Sequence, residues 1–316
     1  MKRHLLLVVV LLLSLVGVSV LAQNSGQAAG TSARTWVSQI TAAYRVVPEV
    51  TYLTASNTEL KLDLYLPRTA AGPTPTPNPT VIFIHGGGWT GGNRVGSSLN
   101  ALPYMEMGFS VVNMSYRLAR VALAPAAVED SRCALRFVYR NAKEYGFDTS
   151  KIIVTGQSAG GHLALTTGML PPNSDFDREC FGADELKVAA IVNWYGITDV
   201  ADLLDGPNKR TYAVQWLSSL PNRGELARQL SPLTYVRAGL PPILSIQGDA
   251  DPTVPYAHNT RLRDALTKAG VANELLTIPA GGHGNFKPAE YQRAYAAVRA
   301  FLTKHNLMPA AVTVTN

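Results

Sequence analysis

The segment 152–162 constrains the fold of this chain more than any other part of its 316 residues. It reads Ile-Ile-Val-Thr-Gly-Gln-Ser-Ala-Gly-Gly-His, so an apolar run leads into Gly-x-Ser-x-Gly, and an Ala- and Leu-rich stretch follows. This order predicts a strand, a sharp turn and a helix, with the hydroxyl of Ser158 projecting from the turn. Gly156 and Gly160 suit such a turn because a Cβ at either position would collide with the adjoining strand or helix. A helix-capping turn is the alternative, and the strand–turn–helix context favours a nucleophile.

Short apolar runs alternate with helical patterns along most of the chain, which predicts an α/β fold. The runs are typical of strands buried on both faces, and they lie at 81–84, 111–112, 152–154, 189–192 and 243–246. Helical spacing separates several of them, at 126–143, 162–170 and 259–269. We therefore expect a mostly parallel sheet with helices on both faces and a site at the carboxyl edge of its strands. Before these runs, period-two alternation at 50–53 and 60–66 predicts two paired strands with one wet face.

The first 22 residues are predicted to be a secretory signal peptide rather than part of the fold. Lys2 and Arg3 precede the unbroken apolar run 5–13, and Val20-Leu21-Ala22 suits cleavage before Gln23. An uncleaved membrane anchor is the alternative, but the polar Gly/Ser-rich stretch that follows favours cleavage. We expect a secreted or periplasmic protein with no stable membrane association.

The rest of the chain is predicted to hold one catalytic domain. An N-terminal segment at 23–49 precedes this domain at 50–305, and a C-terminal tail at 306–316 follows it. Within the domain, 199–229 is a mixed helical stretch that we interpret as a lid-like insertion over the carboxyl edge of the sheet. The apolar fraction of 47% and the charged fraction of 16% are typical of a globular protein.

The charge distribution argues against a nucleic-acid partner. The formal net charge is +6, and the loss of Lys2 and Arg3 with the signal peptide would leave +4. The remaining basic residues are scattered and form no Lys/Arg stripe of the kind that nucleic-acid binding needs.

Two cysteines, Cys133 and Cys180, lie in the predicted mature chain. Export would allow them to form a disulfide. Two separately buried thiols are the alternative; we favour the disulfide, although the spacing alone does not decide between them. The spacing does not indicate a metal site.

The sequence His85-Gly86-Gly87-Gly88-Trp89 follows the apolar run 81–84 and predicts a loop of exposed amides. A serine that attacks an ester creates an oxyanion, which needs hydrogen-bond donors fixed in advance. The amides of Gly87, Gly88 and Ala159 are the candidates. A phosphate-binding loop is the alternative, but the Lys-Ser/Thr ending of a P-loop is missing. We expect His85 to hold the loop by hydrogen bonds, and Trp89 either to line the acyl pocket or to pack in the core.

A base and an orienting acid are expected at later strand ends. His283 lies among small residues in Ala280-Gly281-Gly282-His283-Gly284, directly after a predicted strand at 275–278, and is the candidate base. Asp249 and Asp251 both follow the run 243–246. Asp251 is favoured because it reaches further over the edge and precedes Pro252, whereas Asp249 is the alternative that would close the turn.

These motifs together resemble the α/β-hydrolase esterases and lipases with an HGGG motif. The resemblance is strongest to the bacterial branch described as bifunctional feruloyl and acetyl-xylan esterases, and it runs from about residue 50 to residue 302. The residues that carry it are Leu62-Asp63-Leu64-Tyr65, His85-Gly86-Gly87-Gly88-Trp89, Tyr116-Arg117-Leu118, Gly156 to Ala164, Trp194 to Asp199, Ser231-Pro232 and Gly248 to Pro252.

The resemblance implies an α/β-hydrolase fold, a triad of Ser158, His283 and Asp251, and no cofactor or metal. It also implies an ester substrate, either a small molecule or one attached to polysaccharide. Tyr116 and Trp194 end strands near the site and are candidates for the substrate pocket; bracing of the oxyanion loop by Tyr116 and packing under the site by Trp194 are the favoured alternatives. An amidase, peptidase or formamidase with the same triad, and a non-catalytic binding module on this scaffold, are the other functions considered.

Overall fold

A computed structural model describes Ser38, Ile40 and residues 42–68, 76–172, 174–182 and 186–310. The predicted signal peptide lies outside these residues, as do most of the N-terminal segment and the last part of the predicted tail. The chain divides into a unit of residues 1–44 and a unit of residues 45–316. All the predicted site residues lie in the second unit.

Eight strands of the described residues form one sheet in the order β1-β2-β4-β3-β5-β6-β7-β8. Strand β2 is antiparallel to β4, whereas the pairs from β4 through β3, β5, β6 and β7 to β8 are parallel. The mostly parallel sheet is the predicted architecture, and its N-terminal edge is antiparallel. The strands are Tyr44–Ala55, Thr58–Pro67, Asn78–Ile84, Ser110–Met114, Phe147–Gln157, Ala190–Trp194, Ile243–Gly248 and Asn273–Ile278.

The two N-terminal strands form the predicted pair. Ser56 and Asn57 join them, and both have φ above +45°, as a two-residue hairpin turn of type I′ requires. Strand β1 begins at Tyr44, so strand structure starts before the predicted domain limit at residue 50. The Leu side chains of β2 are buried, but Asp63 on the opposite face is also largely covered because Arg94 pairs with it at 2.9 Å.

Helices cover the sheet between these strands, and the predicted long helix at 126–143 is divided. It ends at Arg140, and a short helix of residues 142–145 follows. Asn141 separates the two because its backbone departs from the helical conformation, with φ of −107° and ψ of 16°. Its backbone amide and its side-chain amide both donate to the carbonyl of Phe137, at 3.0 and 2.8 Å. The helices are α1 (Leu102–Glu106), α2 (Ala126–Arg140), α3 (Ala142–Tyr145), α4 (Ala159–Met169), α5 (Thr211–Leu217), α6 (Arg223–Gln229), α7 (Ala257–Lys268) and α8 (Pro288–Lys304).

A disulfide and a buried ion pair attach the segment 174–182 to the domain. Cys133 on α2 is bonded to Cys180, which confirms the predicted disulfide. Next to it, Asp177 pairs with the buried guanidinium of Arg132 at 2.6 Å. Phe176 of the segment is also buried in the hydrophobic core, so covalent, ionic and apolar contacts together hold the segment in place.

The predicted insertion at 199–229 contains α5, α6 and a short 3₁₀ turn at 201–203. Its apolar side chains Leu203, Ala213, Trp216 and Leu217 are fully buried, so it packs onto the domain as a fixed layer. Among the described residues, none of the helices is long and apolar enough to cross a membrane.

Candidate active site

Three side chains from separate strand ends converge at the carboxyl edge of the sheet. The hydroxyl oxygen of Ser158 lies 2.8 Å from Nε2 of His283, and Nδ1 of His283 lies 2.8 Å from Oδ2 of Asp251. Ser158 follows β5, Asp251 follows β7 and His283 follows β8. Because these strands are parallel, their ends meet at one edge, and residues 125 positions apart in sequence come into hydrogen-bond contact.

The carboxylate of Asp251 is held on both oxygens. Its Oδ1 accepts hydrogen bonds from the amides of Thr253 at 2.8 Å and Val254 at 3.0 Å, and its Oδ2 accepts from the side-chain amide of Gln247 at 3.3 Å as well as from His283. Burial raises the pKa of Asp251, but the bond from His283 and the two backbone amides outweigh it and lower the pKa below its ordinary value of 3.8. The group is therefore a carboxylate at neutral pH, and it fixes the proton of His283 on Nδ1.

Asp249, the alternative acid, has the structural role that the sequence left open for it. Its Oδ1 accepts a hydrogen bond from the amide of Ala280 at 2.7 Å. Asp249 thereby connects the loop after β7 to the loop that carries His283, and it makes no contact with the imidazole in the described structure.

The backbone at Ser158 has the strained geometry of a nucleophile at a strand-to-helix turn. Its φ is +56° and its ψ is −119°, an unfavourable region for any residue with a side chain. The flanking glycines allow it: a Cβ on Gly156 would lie 2.4 Å from the carbonyl oxygen of Gly160, and one on Gly160 would lie 2.1 Å from that of Ile84. Ser158 also directly precedes α4, so the positive end of the helix lies behind its hydroxyl.

The glycine loop after β3 lies next to the serine. Gly87 and Gly88 have φ of +121° and +59°, and a Cβ on Gly86 would be 2.9 Å from the carbonyl oxygen of Gln157. Within the described residues, the amides of Gly87, Gly88 and Ala159 donate to no carbonyl or side chain. Three unpaired donors beside a serine hydroxyl are the arrangement that a developing oxyanion needs.

His85 and Tyr116 hold this loop, as expected. Nδ1 of His85 donates to the carbonyl of Gly86 at 2.7 Å. The ring of His85 stacks on the ring of Tyr116, with centroids 4.2 Å apart. The hydroxyl of Tyr116 donates to the carbonyl of His85 at 3.2 Å. Burial lowers the pKa of His85 to about 4, so it is neutral at pH 7 and is not placed to exchange protons with Ser158.

A cavity of about 300 Å³ opens over Ser158. It is bordered by the three glycines, by Ser158 and His283, and by four residues that were not predicted to line a pocket: Gln157, Tyr195, Tyr212 and Thr253. The ring of Tyr195 meets that of His283 edge to face, with centroids 4.8 Å apart. The place of Tyr195 directly after β6 is a sequence signal for this position. Tyr212 comes from the insertion, whose path no local pattern predicts.

The three aromatic residues suggested for the substrate pocket do not border this cavity. Trp89 is fully buried and stacks on Trp216 at 4.1 Å, Tyr116 lies under the glycine loop, and Trp194 donates its indole N–H to the hydroxyl of Tyr104 at 3.2 Å. Each ends or follows a strand, but its side chain turns into the core, where its apolar area is buried. For these residues the pocket interpretation was wrong, and the packing and bracing alternatives are correct.

His162 and His258 have structural partners. His162 is fully buried behind the serine, as expected, and its Nε2 donates to the carbonyl of Leu230 at 2.7 Å. His258 lies 3.1 Å from the carboxylate of Asp202 in the insertion. Among the described residues, no three His, Cys, Asp or Glu side chains are grouped to hold a metal ion.

The profile of the BD-FAE family matches residues 62–266, which is more than half of the chain. The chain belongs to the BD-FAE family. The matched range contains Ser158 and Asp251, and His283 lies beyond it.

Relatives of known name include esterases from bacteria and plants. Esterase LipQ of Mycobacterium tuberculosis is 31% identical over 232 residues, which cover 70% of this chain and 53% of LipQ. Isoprenylcysteine alpha-carbonyl methylesterase ICME of Arabidopsis thaliana is 26% identical over 231 residues, with 71% of this chain and 53% of that protein covered. The chain thus spans about half the length of the curated relatives it matches.

Solved esterase structures share this fold over most of the chain. A truncated carbohydrate esterase from gut microbiota superposes with a TM-score of 0.69 at 28% identity, covering 83% of this chain and 98% of the other. Esterase Est2 of Thermogutta terrifontis gives a TM-score of 0.68 at 26% identity, covering 86% and 95%. Both are α/β-hydrolases, which confirms the predicted fold class.

Proposed function

We propose that this protein is a serine carboxylesterase in which Ser158 is the nucleophile, His283 the general base and Asp251 the orienting acid. The observation that carries the proposal is the continuous chain of hydrogen bonds from the Ser158 hydroxyl through His283 to the Asp251 carboxylate, both links 2.8 Å long, beside three unpaired amides. A serine hydroxyl is a weak nucleophile at its ordinary pKa, and a neutral imidazole at this distance supplies the activation that it needs.

The reaction proceeds in two halves. Ser158 Oγ bonds to the ester carbonyl carbon while its proton moves to Nε2 of His283, and the carbonyl oxygen becomes an oxyanion at the amides of Gly87, Gly88 and Ala159. The carbon–oxygen bond to the alcohol then breaks, and the imidazolium returns the proton to the departing oxygen. Water repeats the sequence on the acyl-enzyme, with His283 again as base, and releases the acid. Asp251 keeps its negative charge and stabilises the imidazolium throughout.

The proposed substrates are esters of short or aryl acids, such as acetyl or feruloyl groups, on a small alcohol or on polysaccharide. The size of the cavity at Ser158, about 300 Å³, supports a small acyl group. Similarity to a carbohydrate esterase over nearly all of that chain supports the carbohydrate alcohol.

We further propose that the protein is exported and cleaved after Ala22. The charged and apolar pattern of residues 1–22 supports this. The disulfide between Cys133 and Cys180 also supports it, because disulfides persist in oxidising compartments. N-terminal sequencing of the protein recovered outside the cytoplasm should begin at Gln23; an intact Met1 on the exported protein would contradict cleavage.

A fluorophosphonate probe tests the catalytic assignment directly. The wild-type protein should be labelled at Ser158 and lose its turnover of 4-nitrophenyl acetate in proportion, whereas Ser158→Ala should resist labelling. Ser174→Ala is a matched control, because Ser174 lies outside the cavity and should leave labelling unchanged. Labelling that persists in Ser158→Ala would refute the assignment. Faster turnover of a 4-nitroanilide than of the matching ester would favour the amidase alternative.

A further inference from the structure

Tyr212 is the part of the insertion that reaches the candidate active site. It lies in the first turn of α5 and borders the cavity at Ser158. Its side chain packs directly on the glycine loop: a Cβ added to Gly88 would be 2.8 Å from Cβ of Tyr212 and 3.0 Å from its Cγ. On the other side, its hydroxyl donates to the carbonyl of Thr253 at 3.1 Å, in the loop that carries Asp251. The ring of Tyr212 therefore spans the gap between the glycine loop and the loop that carries Asp251.

The helix that carries Tyr212 is held in place. Trp216, one turn along α5, is fully buried and stacks on Trp89 of the glycine loop with ring centroids 4.1 Å apart. Arg210, just before α5, donates to the carbonyls of Thr253 at 2.9 Å and Pro252 at 3.2 Å. Stacked aromatic rings and two charge-assisted bonds oppose outward movement of the helix. Tyr212 is thus a fixed wall of the cavity rather than part of a swinging lid.

The reaction chemistry indicates which part of the substrate faces Tyr212. In the tetrahedral intermediate the carbon on Ser158 bears an oxyanion, a departing oxygen and the acyl substituent. The oxyanion lies at the glycine-loop amides, and the departing oxygen must lie at Nε2 of His283, which donates a proton to it. The ring of Tyr195 packs against the imidazole with centroids 4.8 Å apart, whereas the side chain of Tyr212 packs on Gly88 of the glycine loop. We therefore expect the alcohol on the side of Tyr195 and His283, which leaves the side of Tyr212 for the acyl substituent.

We propose that Tyr212 is a specificity-determining residue that restricts the acyl group of the substrate to short chains. The inference rests on the proposed esterase function, and it adds that the length limit comes from one side chain of the insertion. A hydrophobic pocket discriminates by about tenfold or more for each methylene that it cannot accommodate, so removal of the ring should relax the limit strongly for long chains and little for acetyl.

The test is a set of kcat/KM values for 4-nitrophenyl acetate, butyrate and octanoate. In Tyr212→Ala the ratio of octanoate to acetate should rise at least tenfold over wild type. Tyr212→Trp should lower the ratio of butyrate to acetate. Tyr212→Phe, which keeps the ring and loses only the bond to Thr253, should keep the wild-type ratios within about twofold. Tyr235→Ala is the matched control, since Tyr235 is a half-buried tyrosine away from the cavity whose hydroxyl donates to Gln229.

Tyr212→Leu covers the case in which the alanine variant does not fold, because it keeps apolar bulk against Gly88 while shortening the wall; it should shift the ratio in the same direction. In a second series of substrates the acyl group is fixed as acetyl and the alcohol is varied from ethyl to octyl. The kcat/KM ratios within this series should be the same in Tyr212→Ala, Tyr212→Leu and the wild type. Unchanged acyl ratios in the active Tyr212→Ala and Tyr212→Leu proteins, or a change confined to the alcohol series, would overturn the inference. Failure of the esterase function itself is distinct: the wild type would then neither turn over acetate nor react with the fluorophosphonate.

Discussion

Asp251→Asn removes one charge from the candidate triad and leaves the shape of the side chain nearly unchanged. In the wild-type structure both backbone donors, the amides of Thr253 and Val254, point at Oδ1. The oxygen of the introduced asparagine must stay there to satisfy them, because an NH₂ group in that place would leave two buried amides facing a donor. Its nitrogen then faces His283 and Gln247, where Oδ2 accepts hydrogen bonds in the wild type.

That orientation of the asparagine changes which nitrogen of the His283 imidazole carries the proton. Facing a donor, Nδ1 of His283 must accept, so the proton of the neutral ring moves to Nε2, the atom 2.8 Å from the Ser158 hydroxyl. An Nε2 that already carries a proton cannot take the one from serine. A wrong tautomer of this kind lowers kcat by about 10⁴-fold, which corresponds to about 5 kcal/mol of transition-state stabilisation.

The assay is steady-state hydrolysis of 4-nitrophenyl acetate, with circular dichroism to establish that the variant is folded. Asp249→Asn is the matched control two residues away: its side-chain oxygen can still accept from Ala280, as Oδ1 of Asp249 does at 2.7 Å, and kcat should stay within about threefold of wild type. A folded Asp251→Asn protein with more than about a tenth of wild-type kcat would refute the tautomer argument. A larger loss in Asp249→Asn than in Asp251→Asn would reverse the choice of acid.

Three further outcomes are expected. Gly88→Ala should lower kcat by about 10²-fold or more with KM little changed. The φ of Gly88 is +59°, and the added Cβ would lie 2.8 Å from Cβ of Tyr212, so the loop must shift and displace an oxyanion donor. Wild-type kcat in this variant would exclude Gly88 as a donor. Burial lowers the pKa of His162 from 6.5 to about 4 in the folded state, so its contribution to the free energy of unfolding should be full above pH 6.5 and fall by about 3 kcal/mol towards pH 4, as the unfolded chain takes up the proton; urea unfolding of the wild type and of His162→Asn at pH 7.5 and pH 5 measures this, and equal losses in the two proteins would contradict it. Replacement of both Cys133 and Cys180 by serine should lower the free energy of unfolding by up to about 4 kcal/mol, since the bond closes a loop of 47 residues; an unchanged urea midpoint would mean that the ion pair and the burial of Phe176 hold the segment 174–182 without the disulfide.

Local patterns predicted the elements of this fold well. The buried strands read as short apolar runs because both faces of each strand are covered. Each run lies within an observed strand, except that the run 189–192 begins one residue before β6. The pattern was less informative where the backbone leaves the helical conformation at a single residue, as at Asn141, which divides the predicted helix 126–143. The residues of the proposed triad were recognisable for the same local reason in each case: a catalytic side chain beyond a strand end needs small or turn-forming neighbours, and Ser158, Asp251 and His283 all have them.

The sequence by itself determined the α/β architecture, the nucleophile turn, the glycine loop and the identity of the candidate base, because each depends on residues that are adjacent along the chain. Only the tertiary structure decided which of Asp249 and Asp251 meets the imidazole, that Cys133 and Cys180 are joined, and that Tyr195 and Tyr212 rather than Trp89, Tyr116 and Trp194 border the cavity. These features depend on where side chains from distant strands and from the insertion point after packing. A one-residue difference along a loop changes where a side chain points, and no local periodicity in the sequence predicts that change.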